Sequence, residues 1–287
     1  MDFEFSDEQQ QLRASVRRFL ASERRDEWTG LVELGVLDDE LTMTDLGVVL
    51  EEMGRALYAG PFLSTVAARW AGYTGDGIAT VAIDLQRVPD AATADVVLVA
   101  DGDDVYAVEA FDVEPVETPD LSRPCAAVTP REQGHKVASG TIPAALDRWN
   151  IGYVVDGVGA ASVALEMAVA YGHERVQFDR PIGSFQAVQH LCADMLKALE
   201  LGRAGAYFAL WAADNEPPDE VHRAATMAMA YASDAFHQLG ADAIQVFGGI
   251  GYTWEHDIHR FYKRLLTVQA VHGTASTHLE ELARIVL

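Results

Sequence analysis

Three short stretches carry residue types able to do chemistry. In Arg175-Val-Gln-Phe178, followed by Pro181-Ile-Gly-Ser-Phe-Gln186, an arginine, an aromatic ring and an amide fall within twelve residues. A guanidinium forks onto a phosphate and a glutamine amide bonds a nucleotide edge or sugar, while a phenyl ring packs on a flat ligand. The same residues also suit a helix end with a cationic cap and a Pro-Gly turn. In Gln245-Val-Phe-Gly-Gly-Ile-Gly-Tyr252, paired glycines follow a long segment of helical periodicity. Such glycines allow close backbone approach and offer N–H groups to a pyrophosphate. No strand precedes them, so they are not the dinucleotide fingerprint, and a simple helix stop is the competing reading. In Val271-His-Gly-Thr-Ala-Ser276, a histidine stands just ahead of a segment that Thr274 or Ser276 would N-cap.

Other chemistries find less support. His256 and His259 have the spacing to share a helix face, but no third ligand is placed by spacing, so no metal site is expected. Neither a G-x-S-x-G elbow nor a phosphate-binding Walker loop occurs.

The elements that must position these residues are mostly helical. Ser6 and Asp7 offer caps to a first helix whose Leu12, Val16, Phe19 and Leu20 share a face. A second helix runs through Leu46, Val49, Leu50 and Met53, and Ala59-Gly-Pro-Phe62 marks its end. Short β-branched runs follow at 80–83 and 96–100, with a turn at Asp101-Gly-Asp-Asp104. From Ile142 helical spacing returns over 144–171, 185–211 and 218–246, with shorter helices near 256–269 and 275–286. Long helices with short connections predict a four-helix bundle. The fold class is thus mainly α with a small β domain: residues 1–70 helical, 71–141 β, and 142–287 the bundle.

The formal charge is −23 over 287 residues, which disfavours nucleic acid and anionic membrane as partners. Residues 71–120 hold twelve acids against Arg87 alone, and this run is expected to face solvent, Asp101, Asp103 and Asp104 included. The two cysteines, Cys125 and Cys192, make no disulfide framework, and with the acidic start they point to a cytoplasmic protein.

Taken in order, the motifs resemble the acyl-CoA dehydrogenase family over essentially the whole length. MDFEFSDEQQQLRASVRRFLASE looks like that family's first helix, and EEMGRALYAGPFLSTVAA is similar to bacterial members. HERVQFDRPIGSFQAVQHLCADM and QVFGGIGYTWEHDIHRFYKR are the two most specific stretches. The resemblance implies N-terminal helices, a middle β domain and a C-terminal four-helix bundle. It also implies FAD and an acyl-CoA substrate, with electrons passed on to an electron-transfer flavoprotein. In the family a carboxylate removes the α proton as the β hydrogen leaves as hydride. Carried over residue by residue, Arg175, Phe178, Gln186, Gln245, Gly248 and Gly249 would hold the adenosine diphosphate half of an FAD seated in a neighbouring subunit.

Two departures stand against that background. The family's Y-E-G-T motif reads Val271-His272-Gly273-Thr274 here, so His272 stands where the glutamate base is expected. Asp147, the other candidate base, is expected to cap a helix start. The flavin-facing T-E-P-x-x-G-S-D motif is missing, the strand reading Ala-Thr-Val-Ala-Ile-Asp-Leu-Gln at 79–86. No catalytic residue is therefore expected in this chain. The pattern resembles the short subunits of heteromeric acyl-CoA dehydrogenases of bacterial steroid catabolism, which pair with a larger subunit as an α2β2 heterotetramer. A self-sufficient homodimeric flavin oxidoreductase and a non-catalytic scaffold subunit are the alternatives. Around the motifs Arg175, Arg180, Arg260, Lys263 and Arg264 are expected to supply positive charge for a polyanionic coenzyme.

Overall fold

The computed structural model describes residues 5–22, 27–38 and 40–287, so the first four residues of the opening motif and its Glu23 lie outside it. In chain order the helices are α1 (Asp7–Leu20), α2 (Glu27–Glu33), α3 (Met43–Arg55), α4 (Phe62–Trp70), α5 (Ile142–Glu174), α6 (Gln186–Asn215), α7 (Pro218–Phe247), α8 (Ile258–Ala270) and α9 (Ala275–Val286). Between α4 and α5 run β1 (Ala79–Ala82), β2 (Val88–Pro89), β3 (Val96–Asp101), β4 (Asp104–Val108), β5 (Phe111–Val116), β6 (Cys125–Pro130) and β7 (His135–Ser139). A small hairpin, β8 (Val176–Gln177) and β9 (Arg180–Pro181), separates α5 from α6. The chain gathers into two compact units: one of Met1–Ser22, Thr42–Tyr58 and Tyr153–Leu287, the other of Glu23–Leu41 and Ala59–Gly152.

In the first, helical unit, side-chain chemistry at the helix starts sets the boundaries. Ser6 and Thr42 each accept from the backbone three residues on, and Gln9 and Asp45 bond back, closing two capping boxes. Pro218 opens α7 at a position where a missing N–H costs nothing, with Asp219 and Glu220 in the first turn. Close packing comes from small residues. A Cβ on Gly54 would fall 1.9 Å from the Asp156 carbonyl oxygen, and one on Gly159 would fall 2.0 Å from that of Glu51. At these two points α3 and α5 touch backbone to backbone.

Charges inside this unit are paired. Glu51 and Glu52 of α3 are buried, and α1 reaches them through Arg13 (3.2 Å to Glu51) and Arg17 (2.7 Å to Glu52). From α6, Arg203 donates to Glu51 at 2.6 Å and the Tyr207 hydroxyl donates at 2.7 Å. Arg264 of α8 is 1 % exposed. Its Nε lies 2.9 Å from Asp156 and its Nη2 donates to the Tyr58 carbonyl at 2.6 Å. Along with 67 % burial of its most apolar window, this marks α5 as a core helix, although its length and composition would also suit a membrane span.

The second unit holds two sheets. One has the order β1-β3-β4-β7, with β1 and β3 parallel and the other neighbours antiparallel; the other is β2-β6-β5. Ala82, Val88, Ala91, Val97, Ala126 and Val128 form a core cluster. The strand expected at 79–86 stops at Ala82, because Asp84 accepts from the Gln86 N–H at 2.9 Å and turns the chain. Ala59-Gly-Pro-Phe62 separates two helices instead of closing the helical segment: α3 ends at Arg55, and Pro61 leads directly into α4. Asp101 and Asp103 are exposed as expected, and Asp104 is half-buried beside Lys136 at 2.6 Å. The acidic run is not uniformly wet, however. Asp90 is buried against the Ser64 hydroxyl, and buried Asp120 accepts from the Ser122 N–H at 2.9 Å and its hydroxyl at 2.6 Å.

Candidate functional site

The end of α5 is built to reverse sharply. Val176 pairs with Pro181 and Gln177 with Arg180, leaving Phe178-Asp179 as a two-residue turn. Both turn residues are left-handed, with φ of 52° and 62°. Asn-Gly is the usual solution for such a turn; a phenylalanine there costs roughly 1–2 kcal/mol. The result is a ring 87 % exposed, edge-on to Phe185 at 6.1 Å, while the Arg180 guanidinium sits 4.0 Å over Phe185. Arg175 and Gln186 flank the turn, both exposed, and neither side chain has a hydrogen-bond partner among the described residues.

The second stretch ends α7. Gln245 is exposed in its last turn and its side chain is likewise unpaired among the described residues. Gly248 adopts φ 62° and ψ −139°, a conformation essentially restricted to glycine. Its N–H closes onto the Ile244 and Gln245 carbonyls, so it is the helix stop and not a free pyrophosphate donor. Space stays open here: a Cβ on Gly248 or Gly249 would meet nothing within 4 Å. Phe247 stacks on Tyr171 of α5 at 4.3 Å and 22°, which fixes both stretches at one end of the helical unit. That staple went unread in the sequence, where both aromatics look like ordinary core.

His272 sits differently. It is left-handed (φ 52°), followed by Gly273 at φ 126°, and Thr274 then caps α9 with a capping box to Thr277. Its ring meets Tyr153 edge-on at 5.8 Å. Burial, then repulsion from His278, pushes its imidazole down to about 4. It is therefore neutral at physiological pH and only weakly basic. Asp147 is not a helix cap: α5 begins at Ile142, which places Asp147 in the second turn, and it is 8 % exposed. It belongs to the second unit and His272 to the first.

The five cations do not form one patch. Arg175 and Arg180 are exposed at the hairpin, and Arg260 pairs with Asp257 at 3.3 Å. Lys263 lies 4.5 Å over the Trp254 ring, and Arg264 is locked inside on Asp156. The signal for that lock was present: an aspartate in the apolar run of α5 needs an internal cation. His256 and His259 do not converge on a ligand, since His256 Nδ1 accepts from the Ile258 N–H at 3.1 Å and starts α8. Among the described residues no three His, Cys, Asp or Glu stand together to hold a metal ion.

Residues 133–287 match the family model described as "Acyl-CoA dehydrogenase, C-terminal domain". The chain belongs to the acyl-CoA dehydrogenase family. Acyl-CoA dehydrogenase IpdE2 of Mycolicibacterium smegmatis is 34 % identical over 245 residues, spanning 81 % of this chain and 74 % of that protein. Among solved structures, the Tcur3481-Tcur3483 steroid ACAD superposes with a TM-score of 0.87 at 24 % identity, over 98 % of each chain. The ChsE4-ChsE5 complex from Mycobacterium tuberculosis gives 0.84 at 22 %, over 99 % of this chain and 98 % of that one. At these identities the two structures establish the fold, that of an acyl-CoA dehydrogenase with its helical C-terminal domain. Membership makes this an oxidoreductase-family protein whose typical cofactor is FAD.

Proposed function

We infer that this chain is the short subunit of a heteromeric, FAD-dependent acyl-CoA dehydrogenase, completing a flavin site seated mainly in a larger partner subunit. The observation that carries the reading is the contrast between exposed and shielded groups. Arg175, Gln186 and Gln245 reach solvent unpaired among the described residues, beside open space at Gly248 and Gly249, whereas His272 is turned inward and weakly basic. These residues fit an adenosine diphosphate group: Arg175 would grip a phosphate, Gln186 and Gln245 would bond sugar or base edges, and Phe178 would cover the ligand's flat face. Bound FAD supplies the hydride acceptor for the acyl β carbon. The α proton requires a positioned base; the glutamate expected there is His272 in this chain, and on this reading the carboxylate base would come from the partner.

Two solved relatives of the fold carry two chain names each, Tcur3481-Tcur3483 and ChsE4-ChsE5, and one is called a steroid ACAD. Those names support a heteromeric assembly and a steroid-type acyl-CoA; an α2β2 stoichiometry, a cytoplasmic location and an electron-transfer flavoprotein as acceptor complete the proposed reading. The test is a flavin spectrum with mass determination on this chain alone and co-expressed with a larger acyl-CoA dehydrogenase chain. The expected result is a colourless lone chain and a yellow heterotetramer with one FAD per pair. A lone chain with stoichiometric FAD and turnover would overturn the reading.

A further inference from the structure

Helix α9 is held to the helical unit by a turn and one packed face. At the turn His272 and Gly273 sit at φ 52° and 126°, so the chain changes direction there over two left-handed residues. From the turn α9 lies against α7. Its inward face carries His278, 7 % exposed, whose Nε2 is buried and has no hydrogen-bond partner among the described residues. That nitrogen lies against the turn itself, since a Cβ on Gly273 would fall 3.4 Å from it. Burial alone pushes the His278 imidazole below its ordinary value, and no carboxylate acts on it. His272, half-buried and facing Tyr153 of α5, is lowered by burial and then by His278. Other charges at the contact pair among themselves. Arg284 bonds Glu281 at 2.7 Å, and His222 of α7 lies 3.6 Å from the same carboxylate. Also on α7, Arg223 bonds Glu220 at 2.9 Å, while Glu280 of α9 is exposed.

We propose that α9 is an acid-released strap: protons taken up by His278 and His272 unseat it from α7, and it swings on the Gly273 turn. A protonated imidazole carries a charge and two N–H donors, and the described residues give buried Nε2 of His278 neither an acceptor nor a counterion. Undocking returns both rings to water. The docked state therefore binds fewer protons than the undocked one. Docking is at full strength above about 6.5 and weakens as pH falls toward 4. The two rings lie close enough to repel, so one proton makes the second harder to hold in place. His222 works in the opposite direction, because a proton there strengthens its pair with Glu281, but an exposed pair of this kind contributes little. Release carries the His272 turn into solvent. The strap needs neither a cofactor nor a partner subunit, so it stands apart from the reading of this chain as a short subunit.

The test is hydrogen exchange read by mass spectrometry on the full chain, at about pH 7 and about pH 4.5, with rates corrected for intrinsic exchange and measured with and without dilute urea. Protection over Ala275–Val286 is expected to fall by about tenfold or more on acidification, at rates that urea leaves unchanged, as a local opening requires. The central amides of α7 should stay urea-sensitive and better protected at both pH values. His278→Leu and His278→Gln, one apolar and one polar but neither ionisable, should each reduce the acid loss, and adding His272→Gln to either should abolish it. Two results would overturn the proposal. One is α9 exchanging together with α7, with the same urea dependence, at both pH values. The other is an acid loss in the double variants as large as in the unaltered chain.

Discussion

Two of the turns that hold non-glycine residues in the left-handed region do so to opposite ends. Phe178-Asp179 turns its aromatic ring outward until it is 87 % exposed. His272 sets its imidazole edge-on to Tyr153 in a partly buried position, and burial lowers its basicity. Backbone strain of similar kind thus displays one side chain and shields another. On the reading proposed above, the first turn would present a ligand-holding edge, whereas the second holds His272 where the family resemblance expects a glutamate.

That contrast can be broken or sharpened by substitution. The largest effect is expected for the buried member of the arginine set. Arg264→Met removes the cation that buried Asp156 pairs with and should lower unfolding stability by about 3–5 kcal/mol, read by denaturant titration. Arg175→Met at the exposed turn should leave stability within about 0.5 kcal/mol of wild type, and equal losses at the two sites would erase the distinction.

Next comes pH. His272 has a folded value of about 4 against an ordinary 6.5, so the unfolded chain takes up its proton first as pH falls. Its contribution is fully present above 6.5 and is lost as pH drops toward 4, by about 3 kcal/mol in total. His272→Gln should flatten that part of the stability curve, and an unchanged slope would mean that the ring is not shielded.

In the complex with a larger subunit, Arg175→Ala should weaken FAD by about 1.5–3 kcal/mol, seen as release of flavin fluorescence on dilution. An unchanged affinity would favour the scaffold alternative. The smallest effect belongs to the turn itself. Phe178→Gly relieves the left-handed penalty and should raise stability by up to about 1 kcal/mol while weakening FAD retention. If both fall together, the ring serves the fold and not a ligand.

Much of this was legible in the residues. Pro217-Pro218 and the glycines at 248–251 bounded the long helices because proline and glycine act locally, and the candidate N-caps Ser6 and Thr274 did the same for α1 and α9. The candidate site residues could be singled out because their motifs are contiguous. What escaped depends on contacts between distant segments. Arg264 reads as a surface cation until Asp156, over a hundred residues earlier, is found against it. Asp90 reads as part of a wet acidic run until Ser64 accounts for its burial. α4 was hidden because Pro61 ends one pattern and begins another within two residues.

The backbone contact of Gly54 and Gly159 has one more consequence. With no room for even a methyl group between α3 and α5, these helices cannot slide or rotate past one another by small steps. Amide hydrogens around that seam should exchange only through global unfolding, while those of the β8–β9 hairpin, about 24 Å along α5, exchange through local opening. An immobile seam with a locally opening rim lets ligand-facing segments diversify over generations without renegotiating the frame that carries them.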